Sequence, residues 1–125
     1  MKNTNKKTNL SITGLNAIAI EVSDFELSLY FYRKIMGLRV DVMAPGHYAQ
    51  IPEVNISLLH TGSDFVSQGF HIEFLVEDVD KWHSHLLSHA VKLPSKPENQ
   101  PWGSRSFYFQ DPNGHTLEIT SAIPA

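Results

Sequence analysis

Apolar and polar residues alternate along two stretches of the chain, and each stretch then breaks into a helical period. Residues 14–24 (GLNAIAIEVSD) and 70–80 (FHIEFLVEDVD) both carry Val, one residue and Asp after the alternation, Val22-Ser23-Asp24 and Val76-Glu77-Asp78, which reads as one strand-to-helix entry written twice. In the first copy, residues 14–22 have the alternation of a half-buried strand and Ser23 to Glu26 form an S-x-x-E capping box. Leu27, Phe31 and Ile35, widened by Met36, then predict the buried stripe of a helix that stops at Gly37. Residues 38–43, 47–51 and 54–60 read as three strands, punctuated by Pro45-Gly46 and Pro52.

The second copy repeats the order. Residues 70–77 predict a strand, Asp78 a helix cap, and Val79, Trp82, Leu86 and Ala90 a buried stripe, followed by strands at 91–96, 104–110 and 115–121. A βαβββ unit thus recurs at a period of roughly 54 to 61 residues, the mark of stacked supersecondary units. Each unit alone leaves one sheet face bare. Set edge to edge, two of them predict an α+β fold, a curved eight-stranded cup with helices outside and a concave face open to a ligand.

Composition narrows what such a cup can do. The chain has 125 residues, enough for one domain with a real core. Its first dozen residues are rich in Lys, Asn and Thr and hold no apolar run of signal-peptide or membrane-span length. Residues 1–13 are therefore expected to be a disordered tail and 14–122 a single domain, with modules at 14–61 and 70–122. A net charge of −3 supplies no basic footprint for nucleic acid or an anionic membrane, leaving a small organic molecule or a second copy as partner. The absence of Cys removes disulfides, thiolate nucleophiles and sulfur-ligated metals, and it fits a cytoplasmic home.

Four segments carry a resemblance. Residues 14–24, SLYFYRKIMGL at 28–38, HIEFLVEDVD at 71–80 and SFYFQDPNGHTLEI at 106–119 together, in this order, resemble the vicinal oxygen chelate superfamily, also called the glyoxalase/bleomycin resistance/dioxygenase family. The resemblance implies paired βαβββ modules, usually a homodimer, and often one divalent metal on the concave face. It does not imply a reaction, because isomerases, lyases, transferases, ring-cleaving oxygenases and metal-free binders share the superfamily.

Strand parity sorts the candidates. Period two puts Ala17, Ala19 and Glu21 on one face of the first strand and His71, Glu73 and Leu75 on the equivalent face of the fifth. A turn at Asp-Pro-Asn-Gly, with Gly114 left-handed, sets Asp111 opposite His115 and Tyr108 across from Glu118. A tight turn at Pro52-Glu53 would set Tyr48 across from Ser57, with Gln50 on the same face. The resemblance implies metal ligands at the positions of Ala17, His71 and Glu118, sometimes with a fourth at Ser57. His71 and Glu118 suit Zn, Ni, Mn or Fe(II), whereas Ala17 can bind nothing. The expectation is an incomplete triad: either no cofactor is required, or a divalent metal is weakly held. Glu73, His47, Tyr48 and Gln50 are the available substitutes, and Glu21 lies ~13 Å along its strand, out of reach.

Two functions follow. One is a homodimeric small-molecule-binding protein whose pocket, lined by Ala17, Tyr48, Gln50, Ser57, Trp102 and Arg105 beside His71 and Glu118, works without metal. The other is a divalent-metal-dependent lyase, isomerase or dioxygenase, with His71 and Glu118 on the ion and Glu73 or Tyr108 moving a proton on a substrate with vicinal oxygens. Against both stands a plain polar cluster of His71, Glu118 and Tyr108 with no task. Arg105 can take a carboxylate or phosphonate, or pair with a surface acid. The segment before it lacks the Ser/Glu/Gly-rich cation loop that the resemblance would imply for fosfomycin-modifying members. His83, His85 and His89 fall off the buried stripe of their helix, and no Glu follows His85, so a zinc-protease motif is absent.

Overall fold

The structure is a computed structural model that describes residues 10–63 and 69–124. The tail expected over residues 1–13 lies outside the described residues except for 10–13, which form no regular element. The first module comprises β1 (Ile18–Glu21), α1 (Phe25–Tyr30) continued by a π-helical turn (Phe31–Ile35), β2 (Asp41–Ala44), β3 (Tyr48–Ile51) and β4 (Ile56–Leu59). The second comprises β5 (Ile72–Leu75), α2 (Val79–Ser88), β6 (Glu98–Asn99), β7 (Ser104–Gln110) and β8 (Thr116–Ala122). Each module forms a four-stranded mixed sheet, ordered β1-β4-β3-β2 and β5-β8-β7-β6. In each sheet the strand that leads into the helix pairs in parallel with the last strand of the module. The fold is α+β, two βαβββ modules, as the repeat predicts.

Three local expectations need correction. Asp24, not Ser23, caps α1, its carboxylate accepting from Leu27 N at 3.0 Å. Ser23 is drawn away by Asn113, whose side-chain oxygen accepts from the Ser23 amide at 2.6 Å. Shifting the helix start by one residue rotates the buried stripe: Phe25, Leu29, Tyr32 and Met36 face inward together with Phe31 and Ile35, while Leu27 is exposed. The π-helical turn, closed by Met36 N donating to Phe31 O (2.9 Å), lets the adjacent Phe31 and Tyr32 both reach the core.

No strand forms over residues 91–96; the sixth strand is Glu98–Asn99. Pro94 and Pro97 lack the amide a ladder needs, and the Ser95 hydroxyl stands in for it by accepting from Tyr108 N at 2.9 Å. The β3–β4 connection is a four-residue loop, with Ile51 opposite Ile56 and Asn55 at φ 54°. The register therefore slips by two from the expected one. Gln50, not Tyr48, stands opposite Ser57, and Tyr48 stands opposite Leu59.

The core lies between the sheets and the helices. Ile20, Leu58, Ala49 and Ile51 from the first sheet and Phe107, Phe109, Leu117 and Ile119 from the second join the apolar faces of α1 and α2. A buried polar seam ties the modules together. The Tyr32 hydroxyl donates to Asp111 at 2.6 Å, His115 Nε2 to Glu21 O at 2.7 Å, His85 Nε2 to Ile35 O at 2.7 Å, and the Asn113 amide to Ser28 Oγ at 2.9 Å. Asp111 also accepts from Asn113 N and His115 N, so the Asp-Pro-Asn-Gly turn is both a hairpin and a socket for α1. Among the described residues, no helix is long and apolar enough to cross a membrane.

Candidate functional site

On β5 and β8 the register puts Glu73 directly beside Glu118, and on β7 and β8 it puts Tyr108 beside Glu118. His71 precedes β5 by one residue and, at two residues from Glu73, projects from the same face. The result is one polar group on the open side of the second sheet. His71 Nε2 is 3.1 Å from Glu73 Oε2 and 3.0 Å from Glu118 Oε1. The Tyr108 ring meets the His71 ring edge-on, with centroids 5.4 Å apart.

Burial grades this group from floor to rim. Glu118 is 5% exposed, whereas Tyr108, His71 and Glu73 are exposed above it, Glu73 more than His71. Burial, the charges of Glu118 and Glu73, and a hydrogen bond to Glu118 hold the Tyr108 phenol above its ordinary pKa, so it stays a proton donor. A hollow of about 560 Å³ opens at Tyr108, lined further by Lys92, Pro94, Gln110 and Thr116. That is the size range of small-ligand sites.

The first module carries a separate and weaker group. Gln50 Nε2 donates to the Tyr48 hydroxyl at 2.8 Å, with Ser57 Oγ at 3.5 Å. Hydrogen bonds from Ser57 and Gln50 lower the Tyr48 pKa from its usual value. Among the described residues no hydrogen bond joins this group to His71, Glu73 or Glu118. Ala17 lies just before β1, and it is Ala19 that pairs with Ser57. By the repeat, Ala17, Ala19 and Ser57 hold the places that His71, Glu73 and Glu118 hold in the second module. One module has three donors and the other has a single hydroxyl.

Two expected lining residues lie elsewhere. Arg105 shares the helix-facing side of β7 with Phe107 and Phe109, where its guanidinium donates to both carboxylate oxygens of Asp80 at 2.9 Å and to Asn99 at 3.0 Å. Parity decided this: Arg105 is an odd number of residues from Tyr108. Trp102 is exposed in the β6–β7 turn, at the opposite end of β7 from Gln110. Glu21 is held by Thr61, which donates its amide and hydroxyl at 2.7 and 2.8 Å. On α2, His83 packs on Phe107 and His85 lies against His89, structural uses rather than a second site. Lys92 and Gln110 beside Tyr108 had no motif to mark them and are read only from the hollow they line.

His71, Glu73 and Glu118 bring one donor atom each to within 4.8 Å of one another, a set able to hold a divalent ion. The chain resembles an uncharacterized Bacillus subtilis protein, YraH, at 31% identity over 119 residues, covering 82% of this chain and 93% of that protein. It resembles the metallothiol transferase FosB of Staphylococcus epidermidis at 29% over 119 residues, covering 88% and 82%. Its fold superposes on the fosfomycin resistance protein FosX of Listeria monocytogenes with a TM-score of 0.73 at 22% identity, covering 90% and 95%. Residues 14–119 match the sequence profile of the Glyoxalase/Bleomycin resistance protein/Dioxygenase superfamily, and the chain belongs to that superfamily.

Proposed function

We propose that the protein is a metal-assisted enzyme of the lyase or isomerase type, acting on a small oxygen-bearing organic molecule at the open face of the second sheet. The observation that carries this reading is the pair Glu73–Glu118: two carboxylates abreast on neighbouring strands, one of them 5% exposed, with one imidazole between them. Like charges opposite one another destabilise a sheet unless a cation lies between them. The donor chemistry, imidazole and carboxylate oxygen, fits Zn, Ni, Mn or Fe(II). His71 and Glu118 would hold the ion. When bound, it would supply Lewis acidity that polarises a coordinated carbonyl and steadies negative charge on the neighbouring oxygen. Tyr108, kept protonated, would orient Glu118 and donate a hydrogen bond to substrate at the mouth of the hollow. The chain has no Cys, so a thiol needed in any transfer reaction would come from a soluble co-substrate. We assign the protein to the cytoplasm on the same ground.

The second reading, a pocket that works without metal, is favoured by Ala17 and by the capacity of a protonated His71 to bridge both carboxylates. Thermal-shift screening against small carboxylates, hydroxyketones and phosphonates, with and without EDTA, separates the two. Stabilisation by a ligand should vanish in EDTA and in His71→Ala. Stabilisation that survives both would establish the metal-free pocket instead.

A further inference from the structure

Ala17 empties one corner of the metal triad that the superfamily resemblance implies, yet the second module offers another donor two residues along the strand from His71. We infer that Glu73 is the third protein ligand, and that His71, Glu73 and Glu118 form a divalent-cation site contained wholly within the second module. This deepens the function proposed above and rests on it for the presence of an ion.

Geometry is the first support. Donors on adjacent corners of an octahedron with ~2.1 Å bonds lie ~3.0 Å apart. His71 Nε2 is 3.1 Å from Glu73 Oε2 and 3.0 Å from Glu118 Oε1. The strands themselves set this spacing, since Glu73 and Glu118 are register partners on a parallel pair and His71 is two residues from Glu73. Charge is the second. A single imidazole nitrogen stands between two carboxylates, and the buried one has little water to solvate it. A dication between them would neutralise both and keep all three side chains where they are.

The repeat supplies the third support. At the three equivalent positions the first module has Ala17, Ala19 and Ser57, with no carboxylate or imidazole. Glu73, although 58% exposed, has no carboxylate counterpart in the first module, where Ala19 stands in its place. It belongs to a donor set found on one side of the pseudo-symmetry alone. Tyr108, hydrogen-bonded to Glu118, fixes the buried ligand as outer partners of metal sites do. Glu73 at the rim leaves the outward side of the ion open to substrate oxygens.

Two consequences distinguish this site from one shared between modules. Two carboxylates and one imidazole make a harder donor set than two imidazoles and one carboxylate, so the preference for Zn2+ over Mn2+ should be narrower than at a two-imidazole site. Since one sheet of one chain supplies every protein ligand, affinity should not depend on protein concentration.

The test is titration of MnCl2 into metal-stripped protein, followed by loss of the free-ion paramagnetic resonance signal, with circular dichroism confirming the fold of each variant. Wild type should bind one Mn2+ per chain, at an affinity unchanged between micromolar and hundred-micromolar protein. Glu73→Gln should weaken binding by at least ~10-fold, the loss typical even of outer-shell changes, and Glu73→Asp should restore part of it. His71→Ala and Glu118→Gln should lose as much or more, and Glu26→Gln, on the exposed side of α1, nothing. If Glu73→Gln binds like wild type while His71→Ala and Glu118→Gln do not, the third corner is elsewhere; this inference falls and the metal-assisted reading stands. Affinity that rises with protein concentration would likewise refute a self-contained site. Failure of wild type to hold Mn2+ or Zn2+ at millimolar concentration would overturn both.

Discussion

Tyr32 is fully buried and donates a 2.6 Å hydrogen bond to the buried carboxylate of Asp111. Burial first, and then the charge and hydrogen bond of Asp111, push its pKa well above the ordinary tyrosine value. The folded state therefore keeps a proton that the unfolded chain releases near pH 10. Its contribution is fully present below that pH and is lost as pH rises toward the folded pKa, because the unfolded state then binds fewer protons. Urea midpoints measured from pH 8 to 11 should fall steeply above pH 10 in wild type. In Tyr32→Phe the alkaline fall should flatten, while stability at pH 8 drops by ~1–3 kcal/mol because Asp111 loses a buried donor. An unchanged alkaline limb in the variant would place the titration elsewhere.

Both helices end at a left-handed residue, but the hydrogen bonds that close them differ. Gly37 follows the first helix at φ 72°, and Leu38 N reaches back to Tyr32 O at 2.9 Å. After α2 the left-handed residue is Ala90, at φ 59°, with Ala90 N bonded to Leu87 O and Val91 N to Leu86 O. This pairing is the Schellman closure, and a Cβ in that conformation costs ~1–2 kcal/mol. Ala90→Gly should accordingly raise the thermal midpoint by a few degrees, and Gly37→Ala should lower it, both readable by calorimetry. The first helix end was readable at Gly37, whereas Ala90, expected on the buried stripe of α2, is exposed beyond the last helical residue, Ser88.

At the scale of the molecule, the strands that lead each module, β1 and β5, lie at the ends of their sheets, and among the described residues neither pairs along its outer edge. Leu75 on β5 is 81% exposed, and Leu15, Ile18 and Phe70 are exposed on or beside the same strands. Apolar residues along open edges invite pairing, and a second copy satisfies both edges by one twofold axis. Light scattering should therefore give twice the chain mass at micromolar concentration, and Leu75→Glu should reduce it toward the single-chain value. A monomeric wild type would leave these edges without a purpose in assembly.

The repeat, the α+β class, the two helices and the placing of Tyr108 opposite Glu118 were legible in the sequence, because strand parity, helical period and an Asp-Pro-Asn-Gly turn are local properties that a few consecutive residues impose. The tertiary structure alone decided which residue caps α1, since Asn113, far along the chain, competes for Ser23. It alone set the β3–β4 register, where a four-residue loop replaced the tight turn, and it alone paired Arg105 with Asp80, although strand parity already turned Arg105 away from the face of Tyr108. The standing of Glu73 is of the same kind. Sequence put it on the face of His71, but only the parallel register of β5 with β8 brings it abreast of a buried carboxylate, because pairing between strands distant in sequence is fixed by the whole core and not by either strand.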